Sequence, residues 1–229
     1  MPTTIAVRGN AEERIDPELG AVSLSVSASG AERENTLART TEAHERLVAE
    51  VRGLEASGVL DTWSAGQLRV WSHRPWNAEG KQLPVVHEAR ADLEVIFNDL
   101  ERLGEWVSEV SLRSSLTVGG IEWKLTDATQ RSVQADAQRA AVADAVEKAS
   151  VYASALGLGS PTPVELADTG LLTAQPLPPP GVGVERVFAM RGAADASGGA
   201  SPAQFTPAQL VIAASVDARF AAETAGRVR

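Results

Sequence analysis

The sequence predicts an α+β fold: a mainly antiparallel sheet covered on one face by two long helices and one short helix, with a long hairpin. Three observations predict it. Blocks of alternating apolar and polar residues are interrupted by blocks whose apolar residues recur every three to four positions. The resulting order, ββαββαβαββ, lacks the regular strand–helix alternation of a parallel sheet. Apolar residues make up 44% of 229, enough to enclose a core.

Residues 4–15 alternate, with Ile5, Val7, Gly9, Ala11 and Ile15 on one face. Asp16-Pro17-Glu18 reads as a turn. Residues 21–29 alternate again, Val22, Leu24, Val26 and Ala28 against Ser23, Ser25, Ser27 and Ser29. An antiparallel hairpin of the two is expected. Residues 31–56 change period: Leu37, Thr40, His44, Leu47, Val51 and Leu54 form a helical stripe, ended by Gly58. Residues 61–74 and 85–97 read as strands and 66–97 as a long hairpin, whose arms, 66–74 and 85–97, are expected to extend beyond the domain body. Its second arm has Val85, His87, Ala89, Ala91, Leu93, Val95 and Phe97 on one face.

Asn98 or Asp99 caps a short helix, 99–111, striped by Leu100, Leu103, Trp106, Val107 and Val110. A strand at 115–125 follows, and Asp127 is placed to cap a helix over 128–156. The stripe of that helix is Ala137, Ala141, Ala145, Ala149, Tyr152 and Leu156, small side chains that let a helix axis sit close to a sheet. A short strand is expected at 161–169 and a closing one at 209–220. Between them, 174–206 is a Pro/Gly/Ala-rich loop or excursion, in which Val184, Val187, Phe188 and Met190 are the residues able to dock. The reading is one domain over 1–229, with a frayed tail from 221.

Composition removes several chemistries. Without cysteine there is no disulfide, thiolate metal site or thiol nucleophile. A net charge of −9, with scattered basic residues, argues against nucleic acid. No stretch approaches the roughly 20 apolar residues of a membrane span. The start, Met1-Pro2-Thr3-Thr4-Ile5, enters alternation at once, so no signal peptide and a cytoplasmic location are expected.

Catalytic patterns fail in turn. His44, His73 and His87 share no metal-binding spacing and read as histidines making ordinary hydrogen bonds. Gly157 and Gly159 follow a helix, which suits an end cap rather than a phosphate cradle. Lys148 and Tyr152 stand four apart without a cofactor fingerprint. Tyr152 is expected to pack on the sheet with Lys148 reaching past it. The Pro176–Pro180 run reads as a plain loop. No catalytic, metal or cofactor-binding residue is assigned, and no cofactor is expected. The tryptophans say more. Trp71 and Trp76 flank His73-Arg74-Pro75 near the hairpin tip, with Trp63 ahead of them. Exposed aromatics beside arginine are the composition of interface anchors, so Trp71, His73, Arg74 and Trp76 form the candidate interface.

The residues also resemble a known family, the SIMPL domain (DUF541) proteins. IAVRGNAEERIDPELGAVSLSVSASG is similar to the family's first hairpin, with Ala11 where the second glycine of its opening stands. Later segments resemble its next strands, and TPAQLVIAASVDARF resembles its closing strand. The most specific match is the helix pattern A-x3-A-x3-A-x2-KA-x2-YA, fitted by Ala137, Ala141, Ala145, Lys148, Ala149, Tyr152 and Ala153. The resemblance implies a single α+β domain in a bacterial protein, self-assembly or a scaffold role, and a link to stress response. Without cysteine that link is expected to be indirect. The export signal common in bacterial members has no match at the start of this chain. The expected protein is therefore a non-enzymatic homo-oligomer or binder of a protein partner. The alternative is a small-molecule-binding protein or enzyme with a pocket between sheet and helices, near His87 or Trp123.

Overall fold

The computed structural model describes residues 2–172 and 207–224. The α+β class holds, with strands in antiparallel sheets, but they are shared between two sheets rather than forming one. In chain order the elements are β1 (Thr3–Ile15), β2 (Leu19–Gly30), α1 (Arg33–Ala56), β3 (Leu60–Ala65), β4 (Arg69–His73), β5 (Val86–Phe97), α2 (Leu100–Ser111), β6 (Leu116–Lys124), α3 (Asp127–Ala155), β7 (Thr162–Asp168) and β8 (Leu210–Ala222). The chain divides into two compact units, each with its own apolar core.

The larger unit is built on 16–126. Its sheet runs β3–β5–β2–β6, with β4 also paired to β5. With α1 and α2 inserted between strands, this is the split βαββαβ arrangement. One face is apolar. Val22, Leu24 and Val26 of β2 and Leu93, Val95 and Phe97 of β5 meet Leu47, Val51 and Leu54 of α1 and Leu103, Trp106 and Val110 of α2. Phe97 and Trp106 are in ring contact at 5.3 Å. The stripe of α1 differs from the expected one at its first turn. Leu37 is exposed, and Thr36 is buried in its place. A threonine is tolerated there because its hydroxyl donates to the Glu32 carbonyl at 2.8 Å, as Thr40 donates to that of Thr36 at 2.9 Å. The helix ends at Gly58, whose φ of +79° suits glycine. Asp99 caps α2, accepting from the Arg102 amide at 3.0 Å.

The long hairpin is present, with β4 against Val86–Arg90 and β3 against Leu93–Phe97. Its first arm is broken, because Ala65 pairs with Leu93 but Arg69 with Arg90. Four steps along one arm match three along the other, a bulge at Gly66, whose amide bonds the Asp92 carbonyl at 2.7 Å. The tip is closed by Asn77. Its side-chain oxygen accepts from the amides of Glu79 and Lys81, and its backbone amide donates to the Lys81 carbonyl.

The expected hairpin of the first two strands is not formed: β1 and β2 belong to different sheets. The reason lies in the connecting turn. Glu18 donates its amide to the Lys124 carbonyl, and its carboxylate accepts from the Thr126 amide and hydroxyl, each at 2.8 Å. The chain is thus tied to the end of β6 as it leaves the turn.

The smaller unit holds a three-stranded sheet, β1–β8–β7. The side-chain bonds Arg8–Asp217 and Asn10–Ser215 step in opposite directions along β1 and β8, as antiparallel strands require. The α3 helix lies on β1 through a strict four-residue stripe, Ala137, Ala141, Ala145, Ala149 and Ala153, all essentially inaccessible. Gly9 sets the approach: a Cβ there would fall 2.0 Å from the Ala141 carbonyl oxygen. The alanine stripe therefore follows from a backbone-to-backbone contact. Ala153, not Tyr152 or Leu156, continues it, and both of those side chains are exposed. Tyr152 does not pack on the sheet. Lys148 donates instead to the Asp144 carboxylate at 2.6 Å and the Arg8 carbonyl at 3.0 Å. Asp127 stands inside the first turn of α3 rather than before it, where its charge complements the helix dipole. Gly157 ends the helix at φ +68°.

Ala222 is buried and Thr224 bridges Leu158, so the chain stays paired beyond residue 221, where fraying was expected. The segment 173–206 lies outside the described residues, and with it the proline run, Val184, Val187, Phe188 and Met190. No described helix is long and apolar enough to cross a membrane.

Candidate functional site

Strand parity decides what each face of the larger sheet offers. The helix-covered face takes the apolar residues. The opposite face takes Ser23, Ser25, Ser27 and Ser29 from β2 and Glu88, Arg90, Asp92 and Glu94 from β5. Registers place Ser64 of β3 and Arg69 and Trp71 of β4 on that same face, opposite Glu94, Arg90 and Glu88.

The four candidate interface residues divide between strand and tip. Trp71 lies on the strand, 41% exposed, with its side on the helix-free face. His73 is exposed at the end of β4, its Nδ1 3.4 Å from the Glu88 carboxylate. Arg74 is exposed just beyond. Trp76 is 66% exposed and bridges Gln82 across the tip through its backbone. Among the described strands β4 pairs only with β5, so its outer edge presents unpaired backbone groups beside these side chains. Trp63 is half-buried and packs against the core of its own unit.

The other two histidines differ from each other. His87 shares a 2.7 Å hydrogen bond with the Ser72 hydroxyl. The buried Nε2 of His44 has no partner among the described residues, contrary to the expectation of an ordinary hydrogen bond. No group of three His, Asp or Glu side chains among the described residues is placed to hold a metal.

A charged cluster crosses the helix-free face. Arg90 donates to one oxygen of Asp92 at 2.7 Å, and Arg69 to the other at 2.5 Å. The Arg90 guanidinium, with that of Arg69 beside it, holds the Asp92 carboxyl below the usual carboxylate range. Two recesses flank the cluster. One, of 560 Å³, is lined by Ser23, Ser25, Ser64, Asp92, Glu94 and Thr117 among others. The second, of 640 Å³, includes Ser29, Arg39, Trp71, Glu88 and Ser115. Ser27 and Arg90 line both. The second recess reaches α1 only at Arg39, and the first does not lie between sheet and helices, where the pocket was expected. That space is taken by side chains such as Val26, Phe97, Leu103 and Trp106, all with no accessible surface. The serine alternation was visible in sequence, but only the β2–β5 register sets those hydroxyls against Arg90 and Asp92.

Two further carboxylates are tuned by structural partners. Burial pushes the Glu50 carboxyl up, but hydrogen bonds from Arg113 and from the Trp106 indole, the latter 2.6 Å, outweigh it and hold the group low. Asp217 is held low by the Arg8 guanidinium at 2.7 Å and the Gly170 amide at 2.8 Å.

Comparison with curated proteins finds no match to this chain. The model of one family, SIMPL, described as a protein of unknown function (DUF541), matches residues 5–220. That match takes in β1, the Gly9–alanine helix contact, the whole βαββαβ unit and most of the closing strand. The chain therefore belongs to the SIMPL (DUF541) family.

Proposed function

We propose that the protein is a non-enzymatic, self-assembling scaffold whose copies join through the β4–β5 hairpin. The observation that carries this is the unpaired outer edge of β4 beside exposed Trp71 and Trp76. An edge strand is self-complementary, because two copies laid antiparallel exchange the same amide and carbonyl groups. Exposed indoles at its end then bury apolar area that a lone chain leaves in water. His73 and Arg74 add hydrogen-bond donors to the rim. Light scattering coupled to size exclusion tests the reading. The native protein is expected to elute as an oligomer, and Trp71→Ser with Trp76→Ser to lower its mass. A native protein that is monomeric at every concentration overturns it, as does a double variant of unchanged mass.

A further inference from the structure

The helix-free face of the larger sheet is unusual in what its polar groups leave undone. Ser25 is only 6% exposed, yet its hydroxyl lines the first recess and has no hydrogen-bond partner among the described residues. The hydroxyls of Ser23, Ser27, Ser64 and Thr117 around it are likewise without protein partners among the described residues. Ser23, Ser27, Ser64 and Thr117 are exposed and the Ser25 oxygen is not sealed from solvent, so the recess offers a row of donors and acceptors bonded only to water, open to a ligand that replaces it.

The charges narrow what that is. Arg39, Arg69 and Arg90 stand against Glu88, Asp92 and Glu94. The count balances, and both arginines nearest the centre are already committed to Asp92. An anion such as a phosphate would have to compete with that carboxylate for these two guanidinium groups, and beside the third, Arg39, it would meet Glu88 in the same recess. A cation would meet the arginines. What remains is a neutral ligand rich in hydrogen-bonding groups. At one end of the joined recesses stands the Trp71 indole, a flat apolar surface next to Ser27, Ser29 and Glu88. A molecule with hydroxyls around its rim and an apolar C–H face matches both parts: the rim bonds serine hydroxyls and the face stacks on the indole.

We infer that the joined recesses of the helix-free sheet face bind a neutral saccharide, stacked on Trp71 and hydrogen-bonded by Ser25 and Ser27. Trp71 serves both this site and the proposed assembly, so the serine variants and Trp76→Ser separate the two readings: the serine variants are expected to weaken saccharide binding at unchanged mass, and Trp76→Ser to leave that binding intact whatever it does to the mass.

Saturation-transfer NMR on the full chain tests it, with maltotetraose, cellotetraose and chitotetraose as neutral probes and a heparin tetrasaccharide as the anionic comparison. At least one neutral probe is expected to show transfer at millimolar concentration. Trp71→Ala, and separately Ser25→Val with Ser27→Val, are expected to weaken it by about tenfold or more. Trp76→Ser is expected to leave it unchanged. If the serine pair disturbs folding by circular dichroism, Ser27→Val alone, at an exposed position, carries the same expectation. Transfer to none of the neutral probes, transfer to the heparin fragment alone, or transfer that survives both the Trp71 and the serine variants overturns the inference.

Discussion

Gly9 shows how one missing side chain organises a unit. A methyl group there would overlap the Ala141 carbonyl oxygen, so the helix would have to lift off the strand along its alanine stripe. Gly9→Ala is expected to cost about 3 kcal/mol, in the upper range for overpacking, read as a lowered urea midpoint. Asp217 makes a different kind of contribution. Its carboxyl is held below its unfolded value, so the stability it adds is fully present above about pH 3.9 and is lost as pH falls below that. Asp217→Asn is therefore expected to lower the melting temperature near neutral pH and to shrink the further drop on acidification. A variant with the native acid slope would assign that slope to other carboxylates. Neither role was legible in the sequence. Gly9 read as one more small residue on an alternating face, and Asp217 pairs with a residue more than two hundred positions away.

At the scale of elements, local patterns translated well where their partner was a sheet face of matching period. The α2 helix is the clearest case: its cap and the Leu103–Trp106–Val107–Val110 stripe fall where the spacing puts them. Asp99→Ala should cost about 1 kcal/mol and lower the urea midpoint without changing its slope. The α3 stripe was legible through Ala149 and then diverged. Large side chains at 152 and 156 look like core in a list of hydropathies. A four-residue repeat that keeps touching one strand selects Ala153 instead. Strand pairing was the least legible feature. The turn at Asp16–Glu18 satisfies every local rule for a hairpin, and only Glu18's attachment to Lys124 and Thr126 shows that the next strand joins another sheet. The hairpin residues Trp71, His73, Arg74 and Trp76 were found by composition, but which of them looks onto the floor of the sheet depends on register.

The whole molecule contains two cores of contrasting make-up. One is bulky and interlocked, with Trp106, Phe97 and a set of leucines and valines. The other is a thin layer of alanines closed by Ile5, Val216 and Phe220. The first is built almost wholly from one continuous stretch, 16–126, while the second is assembled from separated stretches of chain. A fragment spanning 16–126 is accordingly expected to fold alone, with a cooperative thermal transition and native-like near-ultraviolet dichroism. A fragment that melts without cooperativity would show that this core needs the rest of the chain.

The separation also has a spectroscopic side. All five tryptophans, Trp63, Trp71, Trp76, Trp106 and Trp123, fall within 16–126, and the single tyrosine, Tyr152, sits on the alanine helix of the other unit. The unmodified chain thus carries its own pair of optical labels. Indole emission follows the larger unit and phenol emission the smaller, so the order in which the two give way can be watched in one cuvette without a dye.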